Sequence, residues 1–254
     1  MAATADTDQE EHTDGSGPPP AAARRRGMGR IATAVSVLGE LLITGGLVLG
    51  LFVVYSLWWT NVVADRAADR QADKVRDTWS HESGGGRTPV SFDSKNGIGF
   101  LHVPAMGTGD ILVEKGTSMT VLNDGVAGYY TDPVKATLPM TGKKGNFALA
   151  AHRDGHGAKF HNIDKIRKGD PIVFETKDDW YVYKVYAILP ETSKYNVEVL
   201  SRVPKESGKT KPGHYITLTT CTPVYTSRYR YIVWGELERV QKVDEERTPP
   251  RELR

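Results

Sequence analysis

The chain has one cysteine, Cys221, in 254 residues, so no internal disulfide can form. Cohesion therefore rests on apolar packing, and an unpaired thiol needs its own explanation. Charge of one sign is also scarce: 33 Lys and Arg stand against 31 Asp and Glu, a formal net charge of +2. That balance gives no concentrated basic face for neutralising phosphates, so nucleic acid is not an expected partner. No internal repeat is visible. The length suits one ordinary globular domain with extensions rather than two full domains.

What is present divides along the chain. Residues 1–30 begin with an acidic, Gly- and Pro-rich stretch that has almost nothing apolar to bury, and are expected to be a disordered cytoplasmic tail. Arg24, Arg25, Arg26 and Arg30 precede an apolar run over 31–60 in which Glu40 is the sole charge. Its uncharged part, 41–59, has 19 residues. As a helix it spans roughly 30 Å, the thickness of bilayer hydrocarbon, with Tyr55, Trp58 and Trp59 suited to the far interface. The arginines ahead of the run keep the N-terminus cytoplasmic and send the rest across, giving a single-pass protein of the cell membrane with an extracellular domain. Val62 and Ala64 imitate a signal-peptidase site, but the apolar run is much longer than that of a cleaved leader.

Residues 61–90 are expected to form a solvated stalk with alternating Asp and Arg, then a flexible SGGGR linker at 83–87. A folded domain over 91–240 follows, and a charged tail over 241–254 is expected to be flexible. Within the domain, short apolar runs punctuated by Gly, Pro, Asp and Asn predict strands at 98–103, 111–113, 146–151, 171–176, 180–189, 215–220 and 230–238. Residues 117–123 and 159–166 predict single helical turns. The pattern is mainly β and suggests a closed or nearly closed barrel.

Cys221 follows the β-branched run Ile216-Thr217-Leu218-Thr219-Thr220, which puts the thiol at a strand end and at a rim. His152 likewise ends the apolar run Asn146-Phe147-Ala148-Leu149-Ala150-Ala151. An imidazole beside a thiol can take its proton and activate it as a nucleophile. A buried, inert cysteine and a surface histidine are the plainer readings of each alone. His152, His156 and His161 could instead hold a metal, but Gly155 and Gly157 break any helix that would align them, and no metal is expected. Arg228 and Arg230 lie seven and nine residues beyond the cysteine, at the start of a strand that could pair beside it. Either could aim a fork of donors at an oxyanion.

Together these pieces resemble the sortase family. Thr217-Leu218-Thr219-Thr220-Cys221 matches its Thr-Leu-x-Thr-Cys signature, Arg230 has its nine-residue separation, and NFALAAHR at 146–153 is similar to its histidine segment, with Ala151 where Gly is frequent. The AAHRDGHG stretch and Tyr129-Tyr130 look most like the class E housekeeping group of high-GC Gram-positive bacteria. The resemblance covers about residues 97–240. It implies an eight-stranded sortase barrel with short helices behind one N-terminal transmembrane helix. It implies a catalytic set of Cys221 as nucleophile, His152 as proton partner and Arg230, rather than Arg228, as oxyanion stabiliser, with no cofactor.

The implied substrates are secreted proteins with a C-terminal Leu-Ala-x-Thr-Gly or Leu-Pro-x-Thr-Gly signal, cut at Thr-Gly through a thioester and passed to a peptidoglycan precursor or cross-bridge amine. Tyr129 or Tyr130 would line the pocket for the second signal residue, Thr220 and Ala150 the groove floor, and the connection holding Val197, Val199 and Leu200 the site for the signal Leu. Leu138-Pro139-Met140-Thr141-Gly142 has the form of such a signal itself, but no apolar span and basic tail follow it, and a turn is expected there. Alternatives are another cell-wall cysteine enzyme such as an L,D-transpeptidase or papain-like peptidase, a pilin-polymerising sortase, and a non-catalytic membrane-tethered binding domain.

Overall fold

The computed structural model describes residues 26–82 and 97–254. The expected disordered stretch before residue 26 and the SGGGR linker lie outside the described residues. A single helix, α1 (Arg26–Glu82), runs through both the apolar segment and the expected stalk. Its Thr33, Ser56 and Thr60 hydroxyls donate to carbonyls three or four residues back, so they add no unpaired polar group to an apolar helix. The chain falls into two units that divide within α1 after Phe52. The described residues of the first unit are helical, and Leu41, Leu42, Ile43 and Leu47 among them are each more than 60% exposed. α1 is long and apolar enough to cross a membrane.

The second unit is a closed barrel of eight strands. In chain order they are β1 (Gly99–His102), β2 (Ile111–Lys115), β3 (Ala127–Tyr129), β4 (Gly145–Ala150), β5 (Pro171–Glu175), β6 (Asp179–Ser193), β7 (His214–Thr222) and β8 (Tyr229–Lys242). Around the barrel the order is β1-β2-β3-β4-β7-β8-β6-β5, with β5 closing on β1. The pairs β2/β3 and β4/β7 are parallel and the others antiparallel. β6 pairs with β5 over Trp180–Lys184 and with β8 along nearly its whole length, the latter ladder carrying three register shifts. Leu101, Phe147, Leu149, Phe174, Tyr183, Ile216, Leu218 and Val233 fill the interior.

The sequence-based expectations need four corrections. β3 was not expected, because a three-residue strand with a glycine at its centre gives no readable alternation. β7 extends to Thr222, so Cys221 lies within the strand instead of just beyond it. The stalk is solvated on one face only: Ala64, Ala68 and Val75 are buried, and Ala68 and Val75 pack with Ala72 and Trp79 on Phe100, Leu112 and Val126. The tail does not fray. Arg247 returns to Glu175 at 2.7 Å and Glu252 accepts from Arg239 at 2.8 Å. The helical turns resolve into α2 (Met119–Leu122), capped by Ser118, and a 3-10 turn at Ile163–Lys165.

On the β1/β5 side, Glu175 is 2% exposed and receives His102 at 2.9 Å as well as Arg247. The other His102 nitrogen meets Asp110 at 3.0 Å, and Arg76 of α1 bonds Asp110. Burial is the largest influence on His102 and pushes its pKa down, but Asp110 and Glu175 together outweigh it, and the pKa is raised. The His102 hydrogen bond lowers Asp110. Burial raises Glu175, yet His102, Arg247 and Arg76 overcome it and the net shift is down.

A histidine held charged by folding stabilises fully below its ordinary range and stops doing so as pH rises through the raised value. The carboxylates stabilise above their ordinary range and stop as pH falls through the lowered values. Stability should therefore be highest between roughly pH 5 and pH 6.5. Thermal melts across pH should show an alkaline decline that His102→Gln flattens, at about 2–4 °C for each kcal/mol lost.

Candidate active site

Side chains alternate across a strand, so the ladder decides which residues share a face. β7 lies between β4 and β8, with Ala148 opposite Thr217 and Ala150 opposite Thr219 on one side. On the other side Thr217 faces Trp234, Thr219 faces Ile232 and Cys221 faces Arg230. Ile216, Leu218 and Val233 point into the barrel core, so Thr217, Thr219 and Cys221 point outward. The outer surface thus carries three tiers: Ala148–Thr217–Trp234, Ala150–Thr219–Ile232, and Cys221–Arg230.

His152 lies at the open end of the third tier. The Ala151 amide donates to the Thr219 carbonyl at 3.4 Å, and the Thr220 hydroxyl donates to the Ala151 carbonyl at 2.7 Å, which holds the chain before His152 against the chain before Cys221. The residues after each are joined as well. Arg153 donates to the Thr222 hydroxyl at 2.8 Å, and the Tyr225 amide donates to Asp154 at 2.6 Å. Arg153 is 6% exposed, pairs with Asp164 at 3.0 Å and lies over the Tyr231 ring. The structure therefore brings His152, Cys221 and Arg230 to the same end of three adjacent strands.

Electrostatics distinguish the three. Burial lowers the His152 pKa, the neighbouring His156 lowers it further, and Asp154 opposes them. The net effect favours the neutral imidazole, the form able to accept a proton. Its Nε2 is 2.9 Å from Asn123 Oδ1, which fixes the ring. Arg230 donates through Nη1 to the Ser227 and Tyr229 carbonyls at 3.2 and 2.9 Å, orienting the guanidinium. Cys221 is a free, partly exposed thiol. His161 turns to the Arg153 carbonyl at 2.8 Å, away from any ligand set with His152 and His156.

Tyr130, not Tyr129, belongs to this surface. Tyr129 packs in the barrel core. Burial raises the Tyr130 phenol, while the charge of Arg230 and a hydrogen bond with Thr219 pull it down, and Cys221 adds its own influence. Thr220 is 3% exposed and points away from the Cys221 face, so it does not floor a groove there. Ala150, at 8% exposure, lies in the second tier beside Thr219. Val199 and Leu200, in a 3-10 turn at Val197–Leu200, pack with Ala148, Ile232 and Trp234, and the Trp234 indole donates to the Val199 carbonyl at 3.0 Å. Pro139–Thr141 form a 3-10 turn capped by Leu138 and Gly142, with Leu138 and Met140 packed on the core, as the turn reading expected.

Asn123, Arg153, Thr219, Ile232 and Trp234 escaped the sequence reading. Strict alternation backward from Cys221 would have found Thr219. Nothing in the sequence pairs Asn123 with a histidine 29 residues away.

The family model described as "Sortase domain" matches residues 101–238. The chain is 75% identical to Sortase SrtE2 of Streptomyces coelicolor over 260 residues, covering all of both proteins. It is 47% identical to Sortase SrtE1 of the same organism over 85% of this chain, and the match spans 60% of that protein's length. A crystal structure of Sortase E1 from Streptomyces coelicolor with a tripeptide in its active site is similar with a TM-score of 0.58 and 45% identity, covering 62% of this chain and 96% of that one. Sortase E from Streptomyces avermitilis gives 0.53 and 36% identity over 62% and 97%.

Thr220→Val removes the donor to a buried carbonyl while keeping the shape of the side chain. Denaturant unfolding should show a loss of about 1–3 kcal/mol. An unchanged stability with weakened peptide binding would return Thr220 to the groove.

Proposed function

We propose that this chain, which belongs to the sortase family of transpeptidases, is a membrane-anchored cysteine transpeptidase that cuts a Leu-Ala-x-Thr-Gly or Leu-Pro-x-Thr-Gly signal between Thr and Gly. It joins the new Thr end to an amine of the cell wall. The observation that carries this reading is the third tier: Cys221 directly across the ladder from Arg230, with His152 next to the strand on the other side.

In the first half, the Cys221 sulfur attacks the Thr carbonyl carbon and its proton passes to the neutral His152. The tetrahedral oxyanion is held by Arg230, whose guanidinium is always charged and is oriented before the reaction begins. The carbon–nitrogen bond breaks, His152 returns the proton to the departing glycine amine, and a thioester remains. In the second half an incoming amine attacks the thioester, gives a proton to His152, and the sulfur leaves and is reprotonated.

The other tiers suit the signal itself. The signal Leu is assigned to the apolar cluster of Ala148, Val199, Leu200, Ile232 and Trp234, whose residues are buried, and the small second residue to the border of Tyr130, Thr219 and Ala150. In vivo the N-terminal helix would hold the enzyme at the outer face of the cell membrane, with secreted proteins bearing the signal and a peptidoglycan precursor or cross-bridge as partners.

Mass spectrometry of the chain with signal peptide and an amine should detect a thioester on Cys221 and an exchanged product. Cys221→Ala abolishes both. Arg230→Ala should lower turnover by about 10² or more, and a larger loss in Arg228→Ala would reverse the assignment. The acid limb of kcat/KM should fall below the ordinary histidine value of 6.5 and move upward in His156→Ala, because that neighbour lowers His152.

A further inference from the structure

The loop that starts at His152 is closed by the Phe160 amide on the His152 carbonyl at 3.0 Å, with Phe160 sunk in the core. Between them, Gly155, His156, Gly157 and Ala158 all have positive φ, at 66°, 47°, 76° and 40°. Two of these four are not glycine. A run of left-handed residues is strained at each non-glycine and persists only if its surroundings hold it.

The holder is α1. Asn61 Oδ1 accepts from the Gly157 amide at 3.0 Å, and Asp65 pairs with Lys159 at 2.8 Å. The fit is close, since a Cβ on Gly157 would come within 2.9 Å of the Asp65 carboxylate. The same turn of helix supports the other side of the imidazole. Asn123, which holds His152 Nε2, is two residues from Gly125, and a Cβ on Gly125 would come within 2.9 Å of the Ala64 carbonyl oxygen. One face of α1, at Asn61, Ala64 and Asp65, thus touches both loops that flank His152.

We infer that this turn of α1, beginning two residues beyond Trp59, is a positioning element of the active site, which sets the orientation of His152 through loop 152–160 and the Asn123 loop. Asn61 and Asp65 act through those loops and touch no substrate. The inference rests on the transpeptidase reading for what His152 does, though not for how it is held. Releasing the loop should lower turnover more than substrate affinity, because the outer patch of Ala148, Ile232 and Trp234 is built on other elements.

The test uses the full chain in detergent micelles. Asn61→Ala/Asp65→Ala should reduce kcat for thioester formation at least tenfold with KM within twofold. Asn61→Asp alone, which keeps the acceptor for the Gly157 amide, should stay within about threefold of wild type. Asp69→Ala, on the exposed face of α1, should change nothing.

NMR titration of the histidines supplies a readout that needs no substrate. The His152 ring lies beside His156 and feels the charge of Asp154 on its own loop, and its Nε2 meets Asn123 beyond α2, while Cys221 on β7 and Arg230 on β8 stand at the same end of the ladder. In the double variant its titration should move toward the ordinary value as burial and the His156 contact relax. An unmoved His152 titration with unchanged kcat overturns the inference. A moved titration in a chain that forms no thioester even as wild type supports the helix coupling and instead refutes the transpeptidase reading.

Discussion

The candidate site depends on the register of β7 between its two neighbours. Because side chains alternate with a period of two, a slip of one residue would turn Cys221, Thr219 and Thr217 into the barrel and bring Leu218 and Thr220 out. The core prevents the slip: Ile216 and Leu218 on β7, Phe147 and Leu149 on β4 and Val233 on β8 are buried to within about one per cent of complete. Asn146 adds a polar lock on the outer side, accepting from Thr217 at 2.8 Å and donating to the Leu200 and Ser201 carbonyls at 3.1 Å each. Packing that stabilises the barrel therefore also places the thiol opposite the guanidinium.

The sequence made part of this legible for a physical reason. β7 and β8 are antiparallel neighbours joined by a short loop, so residues opposite one another stay close in sequence, and the Cys221–Arg230 relation could be read as a spacing of nine. β4 and β7 are parallel, and a parallel pair needs a long crossover. Here β5 and β6 intervene, so nothing in the spacing relates His152 to Cys221, and the resemblance to known sortases supplied that link. Choices between adjacent residues, Tyr130 against Tyr129 and Thr219 against Thr220, turn on which face each occupies and needed the ladder.

The docked part of α1 was misread for a different reason. Its buried stripe is mostly alanine, with Val75 and Trp79 toward its C-terminal end, and alternating Asp and Arg masked a face that small side chains allow to approach the barrel closely. Several charges taken as solvated are engaged, such as Asp65 with Lys159 and Arg76 with Asp110. Arg76 also lies over the Phe100 ring, and Arg247 from the C-terminal segment lies over Trp79. The tail escaped the sequence reading in the same way, since a charged, Pro-containing sequence gives no sign that its charges have partners on β5 and β8.

Closure of the barrel bears on how a peptide can be read. Over Tyr215–Thr219, β7 is paired along both edges, so a chain bound there would find no open edge to extend as an added strand. Recognition by backbone pairing, which tolerates many sequences, is unavailable there. On the proposed function, a peptide would lie across the outer face and be distinguished by its side chains, a geometry that favours a short fixed motif over a general affinity for extended polypeptide.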